Sequence, residues 1–161
     1  DAEKNTFLHH VMARAEFCDE TQQKQRVVPI VELLIKHGVS VNAENIRGHV
    51  SLHTAAYLDA KPLIDCLRKQ GAHDAALDNN GFGVLDFFLQ GWKSRQLLTA
   101  DMQTMRALLK DGANPNGACD RNGFPLHHAV QELDGNKALL LLQYDADPDA
   151  QAAGGKRPLH Y

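Results

Sequence analysis

Two kinds of marker residue recur along the chain at one period, and that recurrence limits the fold more than any other feature. A histidine or aspartate preceded by leucine stands at His9, His53, Asp86, His127 and His160, so His53 to Asp86 and His127 to His160 are both 33 positions. The intervals before His53 and before His127 are 44 and 41. A residue suited to closing a helix in the left-handed region stands at Gly38, Gly71, Gly112 and Asp145, separated by 33, 41 and 33. Both series report one 33-residue unit. The surplus of 11 and of 8 residues falls between the histidine-type marker and the glycine in the first and third units.

Between the markers the pattern is helical. In the second unit SLHTAAYL is a short first segment, Asp59 and Pro62 punctuate, and PLIDCLRKQG carries Leu63, Ile64, Cys66 and Leu67 at helical spacing. Proline is tolerated in a helix's first turn because that N–H has no intrahelical partner. Equivalent stripes are Ile30, Val31, Leu34 and Ile35, then Met105, Leu108 and Leu109, then Ala138, Leu141 and Leu142. Helices of ~8–12 residues are too short to stand alone in water, and each apolar stripe needs a neighbouring pair to cover it. The architecture is therefore a stack.

The period, the L-H phrases TFLHHVM, SLHTAA, FPLHHAV and RPLHY, and the closing phrases GVSVN, GAHDA, GANPN and DADPD resemble those of ankyrin-repeat proteins. The resemblance covers the whole chain and implies an all-α solenoid of stacked helix pairs joined by β-turn or hairpin loops. It is expected to form a single domain, 1–161, with repeats at about 1–43, 44–76, 77–117 and 118–150 and the opening of a fifth at 151–161. By that resemblance His9, His53, His127 and His160 are structural, each in the first turn of a repeat's first helix, hydrogen-bonding locally. Only the first repeat keeps the motif threonine, Thr6; Val50, Gly83, Phe124 and Arg157 replace it, leaving those histidines to backbone partners. Asp86 takes the histidine slot of the third repeat and is suited to accepting helix N-terminal N–H groups. Asn122 stands where the turn glycine belongs, and Asp145 where the closing glycine does, the latter at some conformational cost. The chain stops one turn into a helix, which points to a slice of a longer protein.

Composition removes several alternatives. A net charge of −3 and a pI of 6.3 give no positive field for a phosphate backbone, so nucleic acid is not an expected partner. No apolar run approaches the ~18–20 residues of a membrane span. Cys18, Cys66 and Cys119 are an odd number with no C-x-x-C pair, which fits a reducing compartment, the cytoplasm, better than a disulfide framework or a zinc site. The His9/His10 and His127/His128 pairs invite a metal reading, but three stacked layers at ~10 Å each keep them apart. No metal and no cofactor are expected. A nucleophile built from Cys119 with His127, or with Asp120 and His128, leaves the base turned to its own helix start, and no phosphate loop or carboxylate pair is present, so no enzyme is expected.

Ankyrin-repeat proteins bind other proteins through turn tips and the exposed positions of the first helices. Carried over slot by slot, this implies partner-binding roles for Ile46, Arg47, His49, Tyr57 and Leu58 in the second repeat. The third repeat contributes Asn79, Asn80, Phe82 and Gln90, and the fourth Arg121, Gln131 and Glu132. Trp92, in the second surplus segment beside Lys93 and Arg95, is either a lid over its own lengthened helices or an exposed partner-binding anchor. Asp120 and Phe124 occupy two further slots. Tyr57, Phe82, Arg47 and Arg121 are the preferred anchors, because aromatic and arginine side chains bury much area for little rotamer freedom. The surplus residues, 15–27 and 91–101, lie between first and second helices, where they lengthen the helices or form a loop and offer a second binding edge. The resemblance implies an adaptor or inhibitor, monomeric or part of a hetero-complex. The other reading is a targeting or regulatory part of a larger enzyme, such as a secreted bacterial effector acting in host cytoplasm, with its catalytic domain elsewhere.

Overall fold

The structure, a computed structural model, describes residues 3–95, 102–117, 123–152 and 154–161; the side chains of 92–95 lie outside that description. Nine α-helices follow in chain order among the described residues: α1 Phe7–Ala15, α2 Glu20–Gln22, α3 Val28–Lys36, α4 Ser51–Tyr57, α5 Lys61–Lys69, α6 Val84–Arg95, α7 Met102–Lys110, α8 Pro125–Gln131 and α9 Gly135–Gln143. A 3₁₀ turn, Pro158–His160, ends the chain. The helices pair as antiparallel layers, and the layers stack so that Leu8, Met12, Leu52, Leu63, Leu67, Leu85, Phe88, Met105, Leu108, Leu140 and Leu141 form one continuous buried core. This is an all-α solenoid. Its connecting hairpins are thin, with an isolated bridge between Leu77 and Gly83 among the described residues.

Each second helix closes in the same way. Gly38, Gly71 and Gly112 take φ of +93°, +86° and +100°, and nothing lies within 4 Å of a Cβ built on them, so conformation alone selects glycine there. The residue after each reaches back: Val39 N–H donates to Leu34 O, Ala72 to Leu67 O, Ala113 to Leu108 O and Ala146 to Leu141 O. Asp145 performs the same closure at φ +64°, which costs about 1 kcal/mol relative to glycine. The first helices of the second and fourth layers stop at a left-handed residue as well, Asp59 (φ +47°) and Leu133 (φ +54°).

The two surplus segments are accommodated differently. In the first layer α1 ends at Ala15, Asp19 caps a new start by accepting from Gln22 N–H at 2.8 Å, and α2 runs through a π-helical turn, Gln23–Val27, into α3. Pro29 stands 33 residues before Pro62, the first-turn proline of α5, so the added turns place a proline inside a helix. A proline there removes an N–H and clashes with the carbonyl four residues back. The π-turn moves the bonding register to five residues, with Val28 N–H donating to Gln23 O. In the third layer the surplus instead continues the first helix, so that α6 runs to Arg95 where α4 and α8 have stopped after seven residues. Residues 96–101, which complete that segment and include Leu97, Leu98 and Thr99, lie outside the described residues.

Gly91 explains how α6 continues. A Cβ at this position would lie 1.8 Å from Tyr57 O and 2.6 Å from Tyr57 C, so α6 crosses the end of α4 at a distance that only glycine allows. A glycine inside a helix ordinarily costs about 1 kcal/mol against alanine. Here the backbone approach decides the choice.

Candidate functional site

The histidine slots join layers as well as capping helices. His53 Nδ1 accepts from Val50 N–H at 3.0 Å, and its Nε2 lies 3.1 Å from Ala76 O in the next hairpin. A carbonyl only accepts, so Nε2 carries the proton and the ring is neutral. Burial lowers the His53 pKa to about 4, which keeps this tautomer through neutral pH. His127 is arranged alike, with Nδ1 3.3 Å from Phe124 N and Nε2 3.0 Å from Lys156 O. His9 Nδ1 accepts from the Thr6 hydroxyl at 2.8 Å and from Thr6 N–H at 3.2 Å, and its Nε2–H donates to His49 O at 2.7 Å. His160 Nδ1 accepts from Arg157 N–H at 2.8 Å. Asp86 is fully buried and accepts from Gly83 N–H at 2.7 Å; a Cβ on Gly117 would meet its Oδ2 at 2.4 Å, so the hairpin backbone lies flat against the carboxylate.

Above these caps the hairpin tips form a backbone ladder. Ile46 N–H donates to Glu3 O at 2.9 Å, and Asn79 N–H donates to Arg47 O at 3.0 Å. Asn79 Nδ2 adds a bond to Ile46 O at 2.9 Å, and the Arg47 guanidinium reaches Glu3 Oε1 at 2.8 Å. Gly48 (φ +76°) lets the tips approach, since a Cβ there would meet Asn79 Oδ1 at 2.6 Å. The ladder fixes Ile46, Arg47, Asn79 and Asn80 as exposed residues along one edge. Each tip is also braced internally: Asn45 Oδ1 accepts from Arg47 and His49 N–H, and Asp78 Oδ1 from Asn80 and Phe82 N–H. Burial raises the Asp78 carboxyl, but the Phe82 and Asn80 donors together with His49 outweigh it and hold the group below its usual range.

The remaining implied positions divide. His49 is half-buried, its ring edge-on to Phe87 at 4.8 Å and its Nε2 3.4 Å from Asp78 Oδ2. Tyr57, Leu58, Phe82 and Gln90 are half-buried, and Leu58 caps α4 and packs on the core. Gln131 and Glu132 are exposed at the end of α8, and Glu132 is ion-paired to Lys137 of α9, whose stem is buried. Trp92 lies on α6 with its side chain outside the described residues, and Asp120, Arg121 and Asn122 are outside them altogether. Phe124 is half-buried, its ring tilted by 40° against that of His127 at 5.7 Å.

Some inter-layer contacts gave no sequence signal, or one whose meaning depended on the stack. Asn42 Nδ2 donates to Gly71 O and its Oδ1 accepts from His73 N–H, while Asn116 does the same with Asp145 O and Asp147 N–H. These are the final asparagines of GVSVN and GANPN; the equivalent of the second layer is Ala75. There Arg68 takes over, binding Asp74 within its own layer at 2.6 Å and reaching Asp111 at 3.0 Å and Ala107 O at 3.4 Å in the next. Burial raises the Asp74 carboxyl more than the Arg68 guanidinium lowers it.

No protein-family model matches the chain. Among curated proteins it is 30% identical over 135 residues to the nuclear factor NF-kappa-B p105 subunit of Gallus gallus, covering 81% of this chain and 13% of that protein. It is 24% identical over 132 residues to an ankyrin repeat protein of Fowlpox virus (strain NVSL), covering 82% and 18%. The chain thus spans less than a fifth of the length of either relative. Among the described residues, no helix is long and apolar enough to cross a membrane. Stacked helix pairs, histidine-capped starts, left-handed closures and these relatives agree: the chain is an ankyrin-repeat protein.

Proposed function

We propose that the array holds a partner protein across the concave face made by the hairpin tips and the outward positions of the first helices, acting as an adaptor or a steric inhibitor without catalysis of its own. The observation that carries this reading is the tip ladder, from Glu3 through Ile46 and Arg47 to Asn79, which holds exposed side chains in fixed positions before any partner arrives. Preorganisation of that kind lowers the ordering cost of association. Ile46, Arg47, His49, Asn79, Asn80 and Phe82 form the tip half of the proposed surface. Tyr57, Leu58, Gln90, Gln131 and Glu132 form the helix half, Arg121 belongs to the fourth tip, and Trp92 belongs to the inserted edge of the third repeat.

The repeats carrying these slots are 1–43, 44–76, 77–117, 118–150 and the partial 151–161, all in one domain. Free Cys18 and Cys66 suit a reducing compartment such as the cytoplasm. A second reading is that the array targets or regulates a larger enzyme whose chemistry lies elsewhere.

The test is affinity capture with the wild-type array and two variant sets. Arg47→Ala with Phe82→Ala alters the tips, and Glu32→Ala with Asp65→Ala alters exposed positions on the second helices. Binding lost by the first set and kept by the second supports the concave face. The reverse pattern overturns it.

A further inference from the structure

Consecutive hairpin tips are tied side chain to side chain at one repeated slot. Between the first and second hairpins Asn45 Nδ2 donates to Asn5 Oδ1 at 2.9 Å. The residues 33 and 44 positions on, Asp78 and His49, occupy the same slots between the second and third hairpins, with His49 Nε2 3.4 Å from Asp78 Oδ2. In both ties the member on the later hairpin also caps its own turn, through Asn45 Oδ1 to two N–H groups and through Asp78 Oδ1 to two others. One tie is amide to amide and carries no titratable group. The other is imidazole to carboxylate.

We infer that His49 and Asp78 form an acid-released latch between the second and third hairpins, placed where the first and second hairpins carry an amide latch that does not titrate. The surroundings of the imidazole decide the direction. Asp78 faces it from the third hairpin and favours the protonated form, but that carboxylate is already committed to Asn80 and Phe82. Arg47 stands two residues away on its own hairpin, paired to Glu3. From α1, His9 donates to the His49 carbonyl; from α4, the His53 ring lies 6.0 Å away; from α6, the apolar Phe87 ring closes the pocket at 4.8 Å. The α6 carboxylate, Asp86, is bound to Gly83 N–H.

Burial against these groups outweighs Asp78 and holds the His49 pKa below its ordinary value. The released form, with the ring in water, takes up a proton more readily than the latched form. Acidification below about pH 6.5, where a free imidazole titrates, therefore favours release, and the latch is fully held above it. Release removes the side-chain tie that supports the bonds from Asn79 to Arg47 and Ile46, so the third tip loosens against the second while the first stays fastened.

The experiment needs no partner. Amide-exchange protection is measured for Asn79, which reports the titrating junction, and for Ile46, which reports the amide junction, at pH 7.5 and pH 5.0, alongside an NMR titration of the His49 ring. The expected result is a several-fold loss of Asn79 protection at pH 5.0 with Ile46 protection kept. The variant His49→Asn/Asp78→Asn rebuilds the amide pair and is expected to abolish the difference, its fold being checked by Ile46 protection. His49→Gln alone serves the same purpose if the double variant does not fold. Equal losses at both amides in the wild type, or a difference that persists in the variant, overturn the latch.

Discussion

The outer junctions of the stack and its middle junction do the same mechanical job with different chemistry. First to second layer and third to fourth layer are tied by asparagine amides, Asn42 and Asn116, each donating to and accepting from the backbone of the next loop. Second to third layer has Ala75 in that slot, and the tie passes to Arg68 with Asp111 and Ala107 O, to His49 with Asp78, and to the contact of Gly91 on Tyr57. Amide ties respond little to salt or pH. Charged ties respond to both. Charged ties thus replace the asparagine tie at the middle junction, besides the exposed Arg47–Glu3 pair at the first, and the middle junction lies under the central tips of the proposed binding face.

The largest effect is expected from Gly91→Ala. The new methyl would overlap the Tyr57 backbone, which cannot swing aside as a side chain would, so α6 must separate from α4. A loss of about 3 kcal/mol or more in urea unfolding is expected, against a gain of about 1 kcal/mol for the same change at an uncrowded helix position. A neutral result would mean that the middle junction is not held by this approach.

Acid comes next. The His53 pKa is near 4 in the fold and near 6.5 in the unfolded chain, so the unfolded state binds the proton first as pH falls. The stability linked to His53 is complete above about pH 6.5 and is lost progressively down to about pH 4, a decline of roughly 3 kcal/mol at most. Denaturation midpoints followed from pH 7.5 to 4 read this directly. Replacement by glutamine should flatten the curve.

Removing the ties one at a time separates the two chemistries. Asn42→Ala and Asn116→Ala each hand an exposed loop carbonyl and N–H to water, and a loss of about 0.5–1.5 kcal/mol is expected, unchanged between low and high salt. Arg68→Met removes a guanidinium shared by two carboxylates, and its penalty in urea unfolding should shrink as salt rises. The smallest effect is a gain: Asp145→Gly relieves a left-handed residue at an amide junction and is expected to raise stability by about 1 kcal/mol.

Much of the fold was legible because the period and the left-handed closures are local properties of the sequence. The glycines needed no neighbour to be recognised, and the helix stripes needed only helical spacing. The second role of the motif histidines was not legible, since the carbonyl that Nε2–H meets belongs to another layer and comes within reach only after stacking. Gly91 belonged to a surplus segment with no register of its own, and its meaning lies in the Tyr57 backbone. Pro29 stands 33 residues before Pro62, in the slot of a first-turn proline. The structure places it inside a helix because Asp19 caps a start further upstream. Of the implied surface, the tips were recoverable from their turn residues, whereas the Lys137 partner of Glu132 and the Asp78 partner of His49 depend on packing between elements.

The most direct test of the central claim is an amide-exchange footprint of the array bound to a captured partner. The account predicts added protection at Ile46, Arg47, Asn79 and Asn80 and at the ends of α4 and α6, with the exposed faces of α3 and α5 around Glu32 and Asp65 unchanged. Protection confined to α3 and α5, with the tips exchanging as in the free array, would contradict it.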